Sequence, residues 1–594
     1  MPDVVLPEGR YLSCALRVSL AAGGQTRALL MRNRMLARAG ARPDVLVLGA
    51  APDFQERRDE LLERGLLDGV GLLSIYEHYR EHGWGDAEPT GETLADLSAH
   101  CIREEADSGG APWKLTYRAP DEPRAIYDYL RPDGSTYLRT PAFGLARGSR
   151  GRGRIQQVGA DRQVVGEFPG AAQWFRHWIR ELTDPEGRTF LFVDSRFAVP
   201  HVVPIRTKRV HVVYVMHNLH VLKPYRWDSE VNTPYARVLK RIDDMDAMVT
   251  LTERQRDDIA QRRGRTTNMF VVPNPVDPPR APEPEAPRDP HRVTILARLE
   301  PQKRLQDAVA AFERVVRSVP EARLDIYGDG TGREALQAEI DRRQLGASVT
   351  LHGFDPEARD ALWRSSAFLM TSLFEGYPLS TLESMSCGCP VVSYDIKYGP
   401  REQITDGVDG FLVPRGDVDG LADRIVELLR SPELVSRMSA AARETAARHG
   451  ADHFLADWAD VLEQVVELRP DRTRIDDVAL ETTRLRRVRG DRLQFAAVLR
   501  VKASTRRAKL GSADVRLSAV DDASGAVTEL PLKVKHADGE LRLHTPAGLR
   551  GGLVVPPGTR LRLRLLWNNS AWETGLEGLD DGSEAGERQL AAHA

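Results

Sequence analysis

Thr371-Ser-Leu-Phe-Glu375-Gly-Tyr-Pro378-Leu-Ser-Thr-Leu-Glu383-Ser-Met-Ser-Cys-Gly-Cys-Pro-Val-Val-Ser-Tyr-Asp395 is the stretch on which the reading of this chain turns. The apolar run just before it, Ala367 to Met370, predicts a buried parallel strand, and Pro378 falls where the first residue of a helix belongs. A helix is therefore predicted from about Leu379. Its unpaired N–H groups around Leu379, Ser380 and Thr381, with the positive end of the dipole behind them, form a place for an anion. Glu375 lies in the loop and Glu383 about one turn inside the helix, so two carboxylates flank that place from different directions. Neither can hold a phosphate. Each can accept hydrogen bonds from hydroxyls on either side of a diphosphate, a sugar on one side and a ribose on the other. Two glutamates at this spacing fit equally a helix-capping Glu375 and a solvated Glu383.

With 594 residues the chain is too long for a single core, and about three to five units are expected. A formal net charge of −3 argues against a protein dominated by nucleic-acid binding. The four cysteines are Cys14, Cys101, Cys387 and Cys389, and the Cys-Gly-Cys pair sits in an apolar segment at poor spacing for a metal or a disulfide framework. No basic stretch followed by an apolar core opens the sequence, and no apolar run reaches the roughly eighteen residues of a membrane span. A cytoplasmic protein is expected, with docking at the inner face of the membrane left open.

Tyr11 to Leu20 is predicted as a strand, Gly23-Gly24-Gln25-Thr26 as a tight loop, Ala28 to Ala39 as a helix and Val45 to Leu48 as a second strand. The glycine pair would let a ligand approach the backbone, or simply form a turn. From 84 to 169 the pattern changes to short strand-like runs with Pro-Asp-Gly at 132–134 as a hairpin turn, which predicts an inserted antiparallel sheet. Alternating α/β signals resume from 170 to 277. Residues 278–292, rich in Pro, Glu and Arg, are predicted as a linker, and a second α/β unit spans 293–468. Two doubly wound sheets joined in this way make a cleft at the carboxyl ends of their strands. Alternating runs over 470–573 predict an all-β module, a sandwich, followed by a disordered tail at 574–594. The fold class is thus α/β, two Rossmann-like domains with an inserted β-sheet and a C-terminal β module.

Arg298 and Lys303 follow the first strand of the second half, where two cations could neutralise a leaving diphosphate together with the helix start at 379–381, without a metal. A surface Arg and Lys are otherwise simply solvated. On the opposite side, His217 and His220 end an apolar strand. No carboxylate or thiol follows them at ligand spacing, so zinc is not expected, and a hydrogen-bonded structural histidine is the alternative.

Phe-Glu-Gly-Tyr-Pro-Leu-Ser-Thr-Leu-Glu383, Ser-Cys-Gly-Cys-Pro-Val-Val and Gly407-Val-Asp-Gly-Phe-Leu-Val-Pro together resemble the retaining GT-B glycosyltransferases of family four. The resemblance covers roughly 10–468. It implies that Gly23 and Gly24 face the donor phosphate, that Arg298 and Lys303 form the family's Arg-x4-Lys motif, and that Gly328 and Gly330 of Asp325-Ile-Tyr-Gly-Asp-Gly line the same pocket. Val349 to Phe354 is similar to the segment that meets the nucleobase. His217, with His220 as second choice, would touch the transferred sugar. Glu375 would act with them at the sugar, and Glu383 with Leu379, Ser380 and Thr381 on the nucleotide. No cofactor and no metal are implied, since the nucleotide sugar, UDP-linked, is the substrate. Tyr394-Asp-Ile-Lys-Tyr398-Gly-Pro-Arg-Glu402 is close to a segment of the teichoic-acid glucosyltransferases, which implies transfer of glucose or N-acetylglucosamine to a polyol-phosphate polymer of the cell wall. Related enzymes glycosylate Ser/Thr-rich adhesins, and the inserted sheet serves subunit association in some, so a homo-oligomer is implied as well. The run Arg484, Arg486, Arg487, Arg489, Arg492, Arg500, Lys502, Arg506, Arg507 and Lys509 would attract a polyanionic acceptor, or is a solvated strand face. A carbohydrate-binding scaffold on a decayed core and a phosphorylase are the other classes that share this architecture.

Overall fold

A computed structural model of the chain describes residues 4–19, 23–85, 87–120, 123–142, 152–263, 268–277, 281–282, 287–467, 474–489, 492–504, 514–521, 527–537, 540–546, 553–554, 559–567, 570–576 and 588–589. They divide into two compact units, one of residues 1–219, 247–252 and 271–466, the other of 220–246, 253–270 and 467–594.

The first unit holds two parallel sheets. Strands such as Val210–Met216 (VHVVYVM) and Thr189–Val193 (TFLFV) are buried along their whole length, as apolar, β-branched runs must be when both faces of a parallel sheet are covered. In the first sheet Gly71–Ser74, Pro43–Val47 and Arg10–Ala15 lie side by side, and Thr189–Val193, Val210–Met216 and Ala247–Thr250 continue on the other side of Arg10–Ala15. The winding reverses between Arg10–Ala15 and Thr189–Val193. In the second sheet the order is Val349–Gly353, Arg323–Tyr327, Asp289–Leu296, Ser365–Met370, Val391–Asp395, Gly410–Pro414, with the reversal between Asp289–Leu296 and Ser365–Met370. Adjacent loops diverge at such reversals and leave a crevice beyond the carboxyl ends of the strands. Four loops therefore open onto crevices, those after Ala15, Val193, Leu296 and Met370.

Several elements depart from the sequence reading. The helix predicted from Ala28 starts at Gly24, so Gly24, Gln25 and Thr26 are helical rather than loop. Gly23 makes this early start, taking φ 81° at the N-cap, a conformation that side chains rarely adopt. The first strand of the second half begins at Asp289, inside the predicted linker, and residues 278–280 and 283–286 of that linker lie outside the described residues. Pro378 is the cap and Leu379 the first helical residue of Leu379–Ser386. The helix Ala451–Glu467, assigned by sequence to the donor half, crosses back to the first sheet. Trp458, large and apolar on one face of it, is buried edge-on against Phe192 at 5.1 Å, and the Arg32 guanidinium lies 5.7 Å from its ring.

The insertion is an antiparallel meander of six strands from Cys101–Ala106 to Val164–Gly170. Cys101–Ala106 is an additional strand, one that exposed charges hid from the apolar pattern. The turn at 132–134 closes through Gly134 N–H to Arg131 O at 2.9 Å, and a buried Arg139 grips Asp128 through two bonds of 2.6 and 2.7 Å.

In the second unit two antiparallel sheets bury Phe495, Leu499 and Leu541 of one against Leu517, Leu563 and Leu565 of the other. Segments 220–246 and 253–270 belong to this unit and not to a Rossmann half. Asp228 pairs with Arg560 at 2.8 Å, and Arg562 lies 4.2 Å from the Trp227 ring. The strand Ser570–Leu576 runs past the predicted start of the tail, and Arg588–Gln589 pairs with Arg474–Arg489; the rest of the tail lies outside the described residues. Of the basic run only Arg500 has a described side chain, bound to Glu540 at 3.0 Å, and Arg506, Arg507 and Lys509 lie outside the described residues. Among the described residues no helix is long and apolar enough to cross a membrane.

Candidate active site

The first sheet places Asp194 directly after Thr189–Val193 and His217 directly after Val210–Met216, on neighbouring strands. Their side chains meet at 2.7 Å, His217 Nε2 to Asp194 Oδ1. Arg32, on the helix Gly24–Arg38, donates to both oxygens of Asp194 at 2.9 and 2.7 Å and to Ser13 Oγ at 3.0 Å; Ser13 donates in turn to Asn33. Asp194, Arg32, Ser13 and Asn33 are buried and His217 is partly buried. Burial alone would raise the Asp194 carboxyl, but Arg32 and the bond from His217 outweigh it and hold Asp194 well below the usual carboxylate range. An ionised Asp194 accepts only, so His217 Nε2 carries a proton, and when the ring is neutral Nδ1 is the acceptor.

The second sheet contributes two loops that are laced together. Leu373 N donates to Gln302 O at 2.8 Å, Gln302 Nε2 to Phe374 O at 2.8 Å, and Thr371 Oγ1 to Lys303 O at 2.8 Å. Lys303 Nζ lies 2.5 Å from Glu375 Oε1, so part of its charge is already answered, which the reading of Lys303 as a free cation did not foresee. Arg298 is exposed, and its side chain makes no hydrogen bond or ion pair among the described residues.

Gly328 and Gly330 allow a close backbone approach to this loop. A Cβ on Gly328 would lie 1.9 Å from Ala297 O and one on Gly330 2.7 Å from Leu299 O, so both let the backbone carrying Arg298 pack closely. No side chain caps the helix Leu379–Ser386; Leu379 and Thr381 are buried, Ser380 less so, and Thr381 Oγ1 turns to Met370 Sδ at 3.7 Å.

Among the described residues, three of the contacts between the two halves lie at the crevice. The Arg298 side chain lies over Gly23, its Nε 3.5 Å from where a Cβ would be. At Gly376 a Cβ would fall 2.0 Å from His217 O, so only glycine allows this approach. Glu383 is buried and forms an ion pair with Arg27, while Arg359 reaches the same oxygen at 3.7 Å. Neither the solvated Glu383 nor the helix-capping Glu375 of the simpler reading is found. Gly24 has nothing within 4 Å of its Cβ position and His220 belongs to the second unit, where its carbonyl accepts from Asn232 N at 3.0 Å. Among the described residues no group of three or more His, Cys, Asp or Glu could hold a metal ion.

Residues 280–445 match the family described as glycosyl transferases group 1. That match takes in the second parallel sheet. The chain is 31% identical over 301 residues to the poly(glycerol-phosphate) alpha-glucosyltransferase of Bacillus subtilis (strain 168), covering 50% of this chain and 44% of that protein. It is 28% identical over 225 residues to the poly(ribitol-phosphate) alpha-N-acetylglucosaminyltransferase of Staphylococcus aureus (strain COL), covering 38% of this chain and 45% of the relative. The chain thus spans less than half the length of these relatives. Crystal structures of S. aureus TarM (TM-score 0.60, 18% identity) and of the pneumococcal O-GlcNAc transferase GtfA with UDP and GlcNAc (TM-score 0.57, 18% identity) each cover 77% of this chain and essentially all of their own. The likeness shows the GT-B fold.

Within this GT-B frame the motif reading named His217, Arg298, Lys303, Glu375 and Glu383, which lie on the loops and helix described above, but did not name Asp194, Arg32, Arg27 or Gly376. Asp194 had a signal. It ends a buried strand with a polar group just as His217 does, and the same reasoning applied to Thr189–Val193 finds it.

Proposed function

We propose that this protein is a retaining glycosyltransferase that moves a hexose, glucose or N-acetylglucosamine, from a UDP-sugar to a polyol-phosphate polymer of the teichoic-acid class. The observation that carries the reading is the exposed Arg298 lying over Gly23 in the same crevice where His217 is held by Asp194. Arg298, Lys303 and the uncapped helix start at 379–381 offset the charge that builds on the diphosphate as the anomeric C–O bond breaks. Fixed groups of this kind need no metal for that step. Nδ1 of His217 accepts from a hydroxyl of the transferred sugar, and Glu375 accepts from another on the far side of the ring. The acceptor hydroxyl attacks from the face the diphosphate leaves, its proton passes to the departing phosphate oxygen, and UDP departs with anomeric configuration retained. The curated relatives that act on poly(glycerol-phosphate) and poly(ribitol-phosphate) support the acceptor class.

UDP release from UDP-glucose and UDP-N-acetylglucosamine, measured with and without poly(glycerol phosphate) and poly(ribitol phosphate), tests this. We expect slow release alone, strong acceleration by one polymer, an α-linked product by NMR and no loss of rate in EDTA. Transfer to a Ser/Thr-rich polypeptide and to neither polymer overturns the acceptor. No nucleotide release under any condition overturns the activity.

A further inference from the structure

Glu383 is held in an unbalanced way. Its carboxylate is buried, Oε1 faces both Arg27 and Arg359, and Oε2 has no hydrogen-bond partner among the described residues. Two guanidinium groups, each on a side chain 38% exposed, therefore face one carboxylate that is 4% exposed, and desolvation together with the nearby Arg359 pulls Arg27 down to about 10. The cluster is short of one anion and of one hydroxyl donor. Arg27 comes from the opposite wall. It lies in the first turn of the helix that opens at Gly23, beside the loop over which Arg298 packs. A guanidinium has five donors, and among the described residues one oxygen of Glu383 is what pairs with that of Arg27.

We infer that Arg27 is a donor-binding residue that changes partner when the nucleotide enters: ribose hydroxyls take the Glu383 carboxylate, and Arg27 turns from it to the diphosphate. This rests on the donor reading above. The exchange conserves the pairing of both charges, so the buried carboxylate is never left without a partner and Arg27 never without an anion. It also makes recognition conditional. A ligand with a ribose but no diphosphate displaces Arg27 without giving it a new partner, so uridine binds against the ion pair while UDP binds with it.

Calorimetric titration of the full-length protein and of Arg27→Gln with UDP, UMP and uridine tests the exchange. We expect Arg27→Gln to weaken UDP at least tenfold, to weaken UMP less, and to leave uridine unchanged or bind it more tightly. Uridine binding also reports that the variant is folded. Should Arg27→Gln fail to fold, Arg27→Lys, which keeps the charge and loses the fork, is expected to lower the preference for UDP over uridine by a smaller factor. Equal loss for all three ligands, or no loss for UDP, overturns the exchange while leaving the donor reading intact. A wild-type protein that binds neither UDP nor uridine overturns the donor reading and the exchange together.

Discussion

The two walls of the crevice are built on opposite plans. The first sheet offers His217 from a largely buried network in which Asp194, Arg32, Ser13 and Asn33 answer one another, whereas the second offers Arg298 exposed and with no hydrogen bond or ion pair among the described residues. A neutral sugar gives a wall little to work with, so hydroxyl recognition needs groups fixed in advance. A diphosphate brings its own charge and can order an exposed guanidinium on arrival. Preorganisation is placed where the ligand supplies least.

Substitution of Asp194 is the strongest attack on this contrast. Asp194→Asn leaves the Arg32 charge buried without its anion, a change that typically costs about 3–5 kcal/mol, and frees the His217 ring to take either tautomer. We expect a large fall in melting temperature and a loss of sugar transfer of up to about ten-thousandfold, the order seen when a comparable orienting Asp becomes Asn. A folded, near-native Asp194→Asn with full activity would break the comparison. On the other wall, Arg298→Ala is expected to lower kcat by about 10²–10³ through lost charge stabilisation while melting stays within experimental scatter, because the side chain has no partner to lose. Lys303→Ala should cost less activity than Arg298→Ala, since its ammonium is already shared with Glu375 at 2.5 Å, and paired rate measurements of the two variants decide it.

The smallest effect is in acid. The Asp194 carboxyl lies below its unfolded value of about 3.9, so the folded protein binds this proton more weakly than the unfolded chain. Its contribution to stability is complete above that value and is lost as pH falls from about 4 toward the folded pKa. A urea midpoint measured from pH 6 down to pH 2 should decline in that window and decline less steeply in Asp194→Asn.

Much of this arrangement is legible in the sequence wherever one strand and the loop behind it carry the signal. Ala367 to Met370 followed by Pro378, and Val210–Met216 followed by His217, each place an apolar run and a polar end within one short window. What sequence alone misses is made by partners distant along the chain. Arg32 and Asp194 are 162 residues apart, and nothing local to Arg32 distinguishes it from the other arginines of its helix. The same holds for Arg27 with Glu383. The helix start at Gly24 was obscured because two glycines together ordinarily read as a turn, whereas only Gly23 lies outside the helix.

Trp458 has a consequence for how the molecule is made. The cover for Phe192 and Arg32 is encoded after the whole second sheet, so a nascent chain that has produced every strand of the first sheet still lacks the indole that closes it. The earlier-synthesised half cannot finish maturing on the ribosome until residue 467 has emerged from the exit tunnel, and a fragment cut at 277 would present that uncovered face to solvent.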